Sequence, residues 1–233
     1  MNYRDQAIYF LNAYWIEFSK KEGKFEAQGP EHVWKLRDLI KTIDQDQAAE
    51  DRKEPWDAQF TGYKEGHSLN EIYARKYLEK LGQTLTAIAF RQKFKELDVD
   101  GDKRMSLVEY LLLDYGVKPA DLVKRPQGAN EALLKVQADL EEVKAQIAAV
   151  EKEKHDLSVA AAAGGVKGNA AKASLAQLES ADNLHFRKAM ASAEASFRAV
   201  RSFGRHTFSG GVWWIQREIE EAKKFAKGGK GKH

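Results

Sequence analysis

Apolar positions recur at helical spacing along nearly the whole chain, and no stretch alternates like a half-buried strand. Ile8, Leu11, Trp15 and Phe18 stand 3, 4 and 3 residues apart, which predicts an N-terminal helix with one apolar face. Gly29-Pro30 opens a second helix, Pro30 suiting its first turn, and Val33, Leu36, Ile40 and Ile43 form its stripe. Periodicity lapses from about Asp44 to His67. Ser68-Leu69-Asn70-Glu71 then reads as a capping box that starts a third helix at Leu69, running to about Leu81 and stopping at Gly82. Leu85, Ile88, Ala89, Phe94 and Leu97 lead into an acid-rich stretch, and Leu107, Val108, Leu111 and Leu112 lead out of it.

Past Pro126 and Gly128 the pattern tightens. Leu133, Val136, Leu140, Val143, Ile147, Val150, Lys154 and Leu157 alternate spacings of 3 and 4, a heptad seam in which only Lys154 is polar. The seam covers roughly 37 Å at about 1.5 Å per residue. It ends in Ala160 to Ala163 and the turn Gly164-Gly165-Val166-Lys167-Gly168, after which Leu175, Leu178, Phe186, Ala189, Ala193, Phe197 and Val200 carry a return stripe. Two such helices joined by a flexible turn predict an antiparallel hairpin within a monomer. The rival arrangement is an intermolecular parallel coiled coil of the first helix alone. The last helix holds Trp213-Trp214, two neighbours that face different ways, so one packs inward. The expected fold is all-α: an EF-hand-like helical domain over 1–127 (one hand about 30–81, the other about 85–115), an antiparallel two-helix coiled-coil hairpin over 128–204, and a C-terminal helix with a basic tail over 205–233.

The acid-rich stretch supplies the chemistry. Residues 98 to 109 place Asp98, Asp100, Asp102 and Glu109 at positions 1, 3, 5 and 12 of a twelve-residue loop, the ligand spacing of an EF-hand. Calcium takes six to eight oxygens, and a short loop supplies them when carboxylates recur every second residue and the last acid is bidentate. Arg104 contributes its backbone carbonyl, Ser106 acts directly or through water, and Met105 points into the core. Position 6 carries Lys103 where the turn favours glycine, at a cost of roughly 1 kcal/mol. EF-hands usually come in pairs. Counting a partner loop from Asp44 gives acids at places 1 and 3 but Ala48 and Pro55 at places 5 and 12, so the expected partner is degenerate and binds no metal.

Charge adds one feature. The chain of 233 residues carries a net +3, yet residues 222–233 hold five Lys and no acid, leaving the remainder at −2. A basic tail on a mildly acidic body suits an acidic partner. With one aromatic and no Arg, it is poorly made for base stacking or bidentate phosphate recognition, so no nucleic-acid role is expected. The absence of Cys fits a reducing, cytoplasmic setting. The apolar run Ala7 to Ile16 is too short for a membrane span. An enzyme is not expected: the six His form no metal-ligand pair, and no nucleophile elbow or phosphate-cradling loop occurs.

Four segments in order resemble the calcium-regulated F-actin-bundling proteins of amoebae and slime moulds. They are 6–20, with Phe10-Leu11-Asn12-Ala13-Tyr14-Trp15; 98–112; Gly165-Val166-Lys167-Gly168; and 212–224, with Trp213-Trp214, Arg217, Glu220 and Glu221. The resemblance implies a monomeric cytosolic protein of the actin cytoskeleton that crosslinks F-actin into bundles and is inhibited by Ca²⁺ at one EF-hand. Its ligand roles map onto Asp98, Asp100, Asp102, Arg104, Ser106 and Glu109. Because actin is acidic, Lys223, Lys224, Lys227, Lys230 and Lys232 are the expected electrostatic contacts. The alternative function is an EF-hand sensor or adaptor that grips a target helix. Only three Met in the chain argue against a Met-rich groove.

Overall fold

The structure is a computed structural model that describes residues 1–20, 23–52, 63–125, 131–180, 184–202 and 209–228. Among the described residues the regular structure is helical apart from one two-stranded contact. Two compact units emerge: Met1–Gly128 with Ser209–Gly211, and Ala129–Phe208 with Val212–His233. Among the described residues, no helix is long and apolar enough to cross a membrane.

In the first unit, α1 (Tyr3–Ala13) begins at Asn2, whose side chain accepts the Asp5 amide at 2.8 Å. The single N-terminal helix expected from Ile8 to Phe18 is divided at Tyr14, and α2 (Trp15–Lys20) follows. The buried stripe is also rotated: Tyr3, Ala7, Phe10, Leu11 and Tyr14 are buried, whereas Ile8 and Trp15 are half-buried. The break brings Phe18 edge-on to Phe10, Phe25 and Tyr115, with centroids 4.9–6.4 Å apart. Aromatic burial of this kind outweighs the few helical hydrogen bonds lost at a break.

Helix α3 (Lys24–Arg52) has Gly29 at φ 58°, so its regular part starts at Pro30, and Val33, Leu36, Ile40 and Ile43 are buried as their spacing predicts. It continues past Asp44 to Arg52, where the sequence led us to expect irregular chain. Leu69–Asn70 forms strand β1 rather than a first helical turn. Accordingly α4 (Glu71–Lys80) is capped by Asn70, which accepts the Tyr73 amide at 3.1 Å, and Ser68 is not the cap. The stop at Gly82 holds: this residue has φ 80°, and the Gln83 amide closes back on Leu78 at 2.9 Å. Helix α5 (Ala87–Leu97), strand β2 (Arg104–Met105), α6 (Leu107–Tyr115) and α7 (Pro119–Lys124) complete the unit.

In the second unit, α8 (Glu131–Ala162) turns at Gly164 and Gly165, both with positive φ, into α9 (Gly165–Ser180), and α10 (Leu184–Ser202) continues the return. Gly168 lies against the last turn of α8, where an added Cβ would be 3.1 Å from the Ala161 carbonyl oxygen. Of the expected return stripe, Phe186, Ala189, Ala193, Phe197 and Val200 are buried, whereas Leu175 and Leu178 are only half-buried. The heptad seam is not uniform. Val136, Leu140 and Val143 are fully buried, while Val150, Lys154 and Leu157 are half-exposed. The cause is α11 (Gly210–Gly228), whose Val212, Ile215, Ile219 and Ala222 join the same core as α8 and α10. Three helices enclose a seam that two cover only on one side. The C-terminal helix, expected as a separate segment, is therefore largely part of this bundle. Trp214 is fully buried and Trp213 is partly exposed.

Candidate metal centre

The acidic loop joins α5 to α6 and is folded by its own carboxylates. Asp100 accepts the Asp102 amide at 3.1 Å, Asp102 accepts the Arg104 amide at 2.7 Å, and Asp98 Oδ2 accepts the Lys103 amide at 3.0 Å. These bonds turn the chain so tightly that Lys103 sits at φ 61°. This is the left-handed position the loop register assigns to it, and it costs about 1 kcal/mol relative to glycine. Carboxylate oxygens of Asp98, Asp100 and Asp102 lie within 4.8 Å of one another. Asp98 Oδ1 is buried with no hydrogen-bond partner. Three converging carboxylates and a buried orphan oxygen fit a hard cation.

Glu109 is placed differently. It is 7% exposed and stands at the third position of α6. Its Oε1 accepts the Val99 amide at 2.9 Å, and its Oε2 accepts the Ser106 amide and hydroxyl, each at 2.8 Å. Ser106 Oγ in turn accepts the Glu109 amide, which completes a capping box. The structure thus gathers the three aspartates and keeps Ser106 and Glu109 engaged with the first turn of the following helix. Arg104, whose role in the loop belongs to its backbone carbonyl, points its guanidinium at Ser68, donating to Oγ at 2.7 Å and to the carbonyl at 2.8 Å.

That contact leads to the partner loop. Strands β1 and β2 pair antiparallel, Leu69 opposite Met105 and Asn70 opposite Arg104. Met105 holds the eighth place of its loop and is completely buried. Leu69 therefore holds the eighth place of the partner, whose twelve positions run from 62 to 73. Places 3, 5 and 12 are then Lys64, Gly66 and Tyr73, none of them an acid. The expected register from Asp44 is incorrect, since Asp44 and Asp46 lie inside α3. Asp44 is 4% exposed and accepts from the Tyr63 hydroxyl at 2.6 Å, the Gly66 amide at 2.9 Å and the Tyr3 hydroxyl at 3.3 Å. Burial, and then the Asp44 carboxylate, push both hydroxyls far above the usual tyrosine range, so they stay donors. The partner loop is organised around the buried Asp44 side chain of a neighbouring helix. Aligning the two loops on a buried apolar eighth residue was the sequence signal that locates it. Calorimetric titration is expected to give one calcium per chain, and two equivalents would overturn the 62–73 register.

At the basic end, two expected contact residues already have partners. Lys223 pairs with Glu194 at 2.9 Å and Lys224 with Glu221 at 2.8 Å. Hydrogen bonds from Lys223 and Lys224 hold the Glu194 and Glu221 carboxyls, respectively, below their ordinary range. The side chain of Lys227, and Lys230 and Lys232 entirely, lie outside the described residues.

Two helix–loop–helix segments joined by a short β-contact, one of them with a converged set of acids, define an EF-hand-like helical protein. Residues 89–211 match the family of the F actin bundling C terminal. The chain belongs to this F-actin-bundling family. It is 33% identical over 252 residues to the calcium-regulated actin-bundling protein of Dictyostelium discoideum, across 95% of this chain and 84% of that one. Its fold is similar to the crystal structure of the 34 kDa F-actin bundling protein from Dictyostelium discoideum, with TM-score 0.79 and 30% identity over 97% of this chain and 92% of the other.

Proposed function

We propose that this chain crosslinks actin filaments into bundles and that calcium binding at one EF-hand inhibits the bundling. The observation that carries the calcium part is the convergence of Asp98, Asp100 and Asp102 around a buried, unpartnered Asp98 oxygen. The likeness to a relative named for calcium-regulated actin bundling carries the rest. The ligands are Asp98, Asp100, Asp102, the Arg104 carbonyl, Ser106 and Glu109. Bound calcium supplies two positive charges that let four carboxylates share one loop. To join the aspartates, Glu109 would have to release the Val99 and Ser106 amides that it holds. That release would undo the capping box at the first turn of α6. Leu107, Tyr110, Leu111 and Tyr115 of α6 are buried in the first unit, so a shift of that turn would be felt by the helices they pack against.

Crosslinking by a cytoplasmic monomer needs two filament-binding surfaces. We place one on the helical domain of about 1–127. The other lies on the hairpin of 128–204 with the basic segment of 205–233, where Lys223, Lys224, Lys227, Lys230 and Lys232 meet the acidic filament. In the ion pairs of Lys223 and Lys224 the lysines are exposed, and surface pairs of this kind are worth at most about 1 kcal/mol each, so they exchange readily for filament carboxylates.

F-actin co-sedimentation tests both parts. Bundles are expected in the low-speed pellet without calcium and to decline with calcium, and bundling is expected to weaken as salt rises toward the regime where the screening length is about 8 Å. Filaments that pellet only at high speed would overturn crosslinking. A low-speed pellet indifferent to calcium would overturn the regulation.

A further inference from the structure

The calcium loop is contacted by a residue that the loop's own sequence does not reveal. Gln6 lies on α1, one residue from Ala7 and three from Tyr3, within a buried stripe that is otherwise largely apolar. It is 3% exposed, and both ends of its amide are hydrogen-bonded. Nε2 donates to the His67 carbonyl at 2.8 Å and to the Met1 carbonyl at 3.0 Å, while Oε1 accepts the Val108 amide at 3.1 Å. His67 belongs to the metal-free loop, and Val108 is the second residue of α6, immediately before Glu109. A second tie runs the same way, from the Arg4 amide to Glu65 Oε1 at 2.7 Å. Helix α1 therefore holds the metal-free loop and the first turn of the exit helix together through one buried amide. An apolar side chain of the same size would bury as well, so the chemistry kept at this position is the pair of opposed hydrogen bonds.

We propose that Gln6 is a positioning residue for calcium binding: it pins the first turn of α6 to the metal-free loop and so sets the calcium affinity of the 98–109 loop from outside it. This rests on the calcium reading given above. Glu109 would have to leave the Val99 and Ser106 amides to reach the aspartates, and the turn that carries it includes the Val108 amide. The Gln6 bond holds that turn where Glu109 engages the two amides, so a closing that had to break it would subtract its net worth from the binding energy. Removing it returns that energy to calcium.

The test compares wild type with Gln6→Met, which keeps the volume and removes donor and acceptor, by calorimetric Ca²⁺ titration and thermal unfolding with chelator or saturating calcium. Affinity is expected to rise roughly five- to tenfold, the equivalent of one net hydrogen bond, at unchanged stoichiometry. The loss of thermal stability is expected to be larger in chelator than in calcium, an asymmetry that a merely structural role does not produce. In the wild-type chain, hydrogen exchange at the Val108 amide is expected to be slow in chelator and faster in calcium, a measurement that stands even if the variant fails to fold. Unchanged or weaker affinity in Gln6→Met, or equal Val108 protection in both conditions, overturns the proposal. Wild type that binds calcium, with Glu109→Gln impaired but Gln6→Met unchanged, overturns the role of Gln6 alone. Wild type that binds no calcium overturns the site and this role with it.

Discussion

Glu109→Gln is expected to weaken calcium binding by at least about a hundredfold and to leave bundling indifferent to calcium. The closing acid of a twelve-residue loop supplies two oxygens and a full negative charge, and an amide offers one neutral oxygen and an NH₂ that repels the ion. The same change is costly without calcium. The carboxylate accepts three donors: the amides of Val99 and Ser106, and the Ser106 hydroxyl. Glutamine must turn its own NH₂ toward at least one of these donors, which costs about 1–3 kcal/mol. The unfolding temperature in chelator is therefore expected to fall by several degrees. Calorimetric titration and low-speed actin sedimentation check the two halves of the prediction. Retained affinity would exclude Glu109 from the ligand set. Retained affinity together with lost calcium response would place the regulation downstream of it.

At Gly210 the tertiary environment opposes local propensity. A Cβ built there would lie 2.4 Å from the Leu11 carbonyl carbon and Cβ and 2.7 Å from the Asn12 nitrogen. The adjacent Gly211 amide donates to Asn12 Oδ1 at 2.8 Å. Backbone atoms of α1 do not give way as the tip of a flexible side chain does, so Gly210→Ala must either displace α1 or lift Gly210 and Gly211 from it and break that bond. Helix propensity alone predicts the opposite, a gain of up to about 1 kcal/mol for Gly→Ala. The clash is expected to prevail, with a net loss of about 2–4 kcal/mol and a fall of roughly 5–10 °C in the unfolding temperature. A variant as stable as wild type, or more so, would mean that the approach of Gly210 to Leu11 is not maintained in solution.

The elements most legible from the sequence were those in which one local rule and one burial pattern agreed. Val33, Leu36, Ile40 and Ile43 repeat at helical spacing after Gly29-Pro30, and the structure buries all four on α3. The acidic loop was legible for a related reason: twelve consecutive residues hold all its side-chain candidates, so their relative positions depend on little beyond the loop itself. The placement of Lys103 at positive φ followed from the same register. Misread elements depended on distant residues. Asp44 looked like the start of a loop because an acid is normally solvated, yet Tyr3, Tyr63 and Gly66 satisfy it within a helix. Ser68 matched a capping box, but Arg104 claims its hydroxyl and carbonyl while β1 pairs with β2.

By itself, then, the sequence determined the all-helical class, the hairpin turn and the identity of the acids in one loop, because helical periodicity and loop spacing act over a few residues. Tertiary structure decided the rest. It set the partner loop at 62–73 by pairing Leu69 with Met105, deepened only the base of the α8 seam by adding α11, and joined Gln6 to Val108 across 102 positions of chain. Those contacts rest on burial and hydrogen-bond satisfaction between groups far apart in sequence, and neither periodicity nor motif spacing records which distant partner will fill a given need.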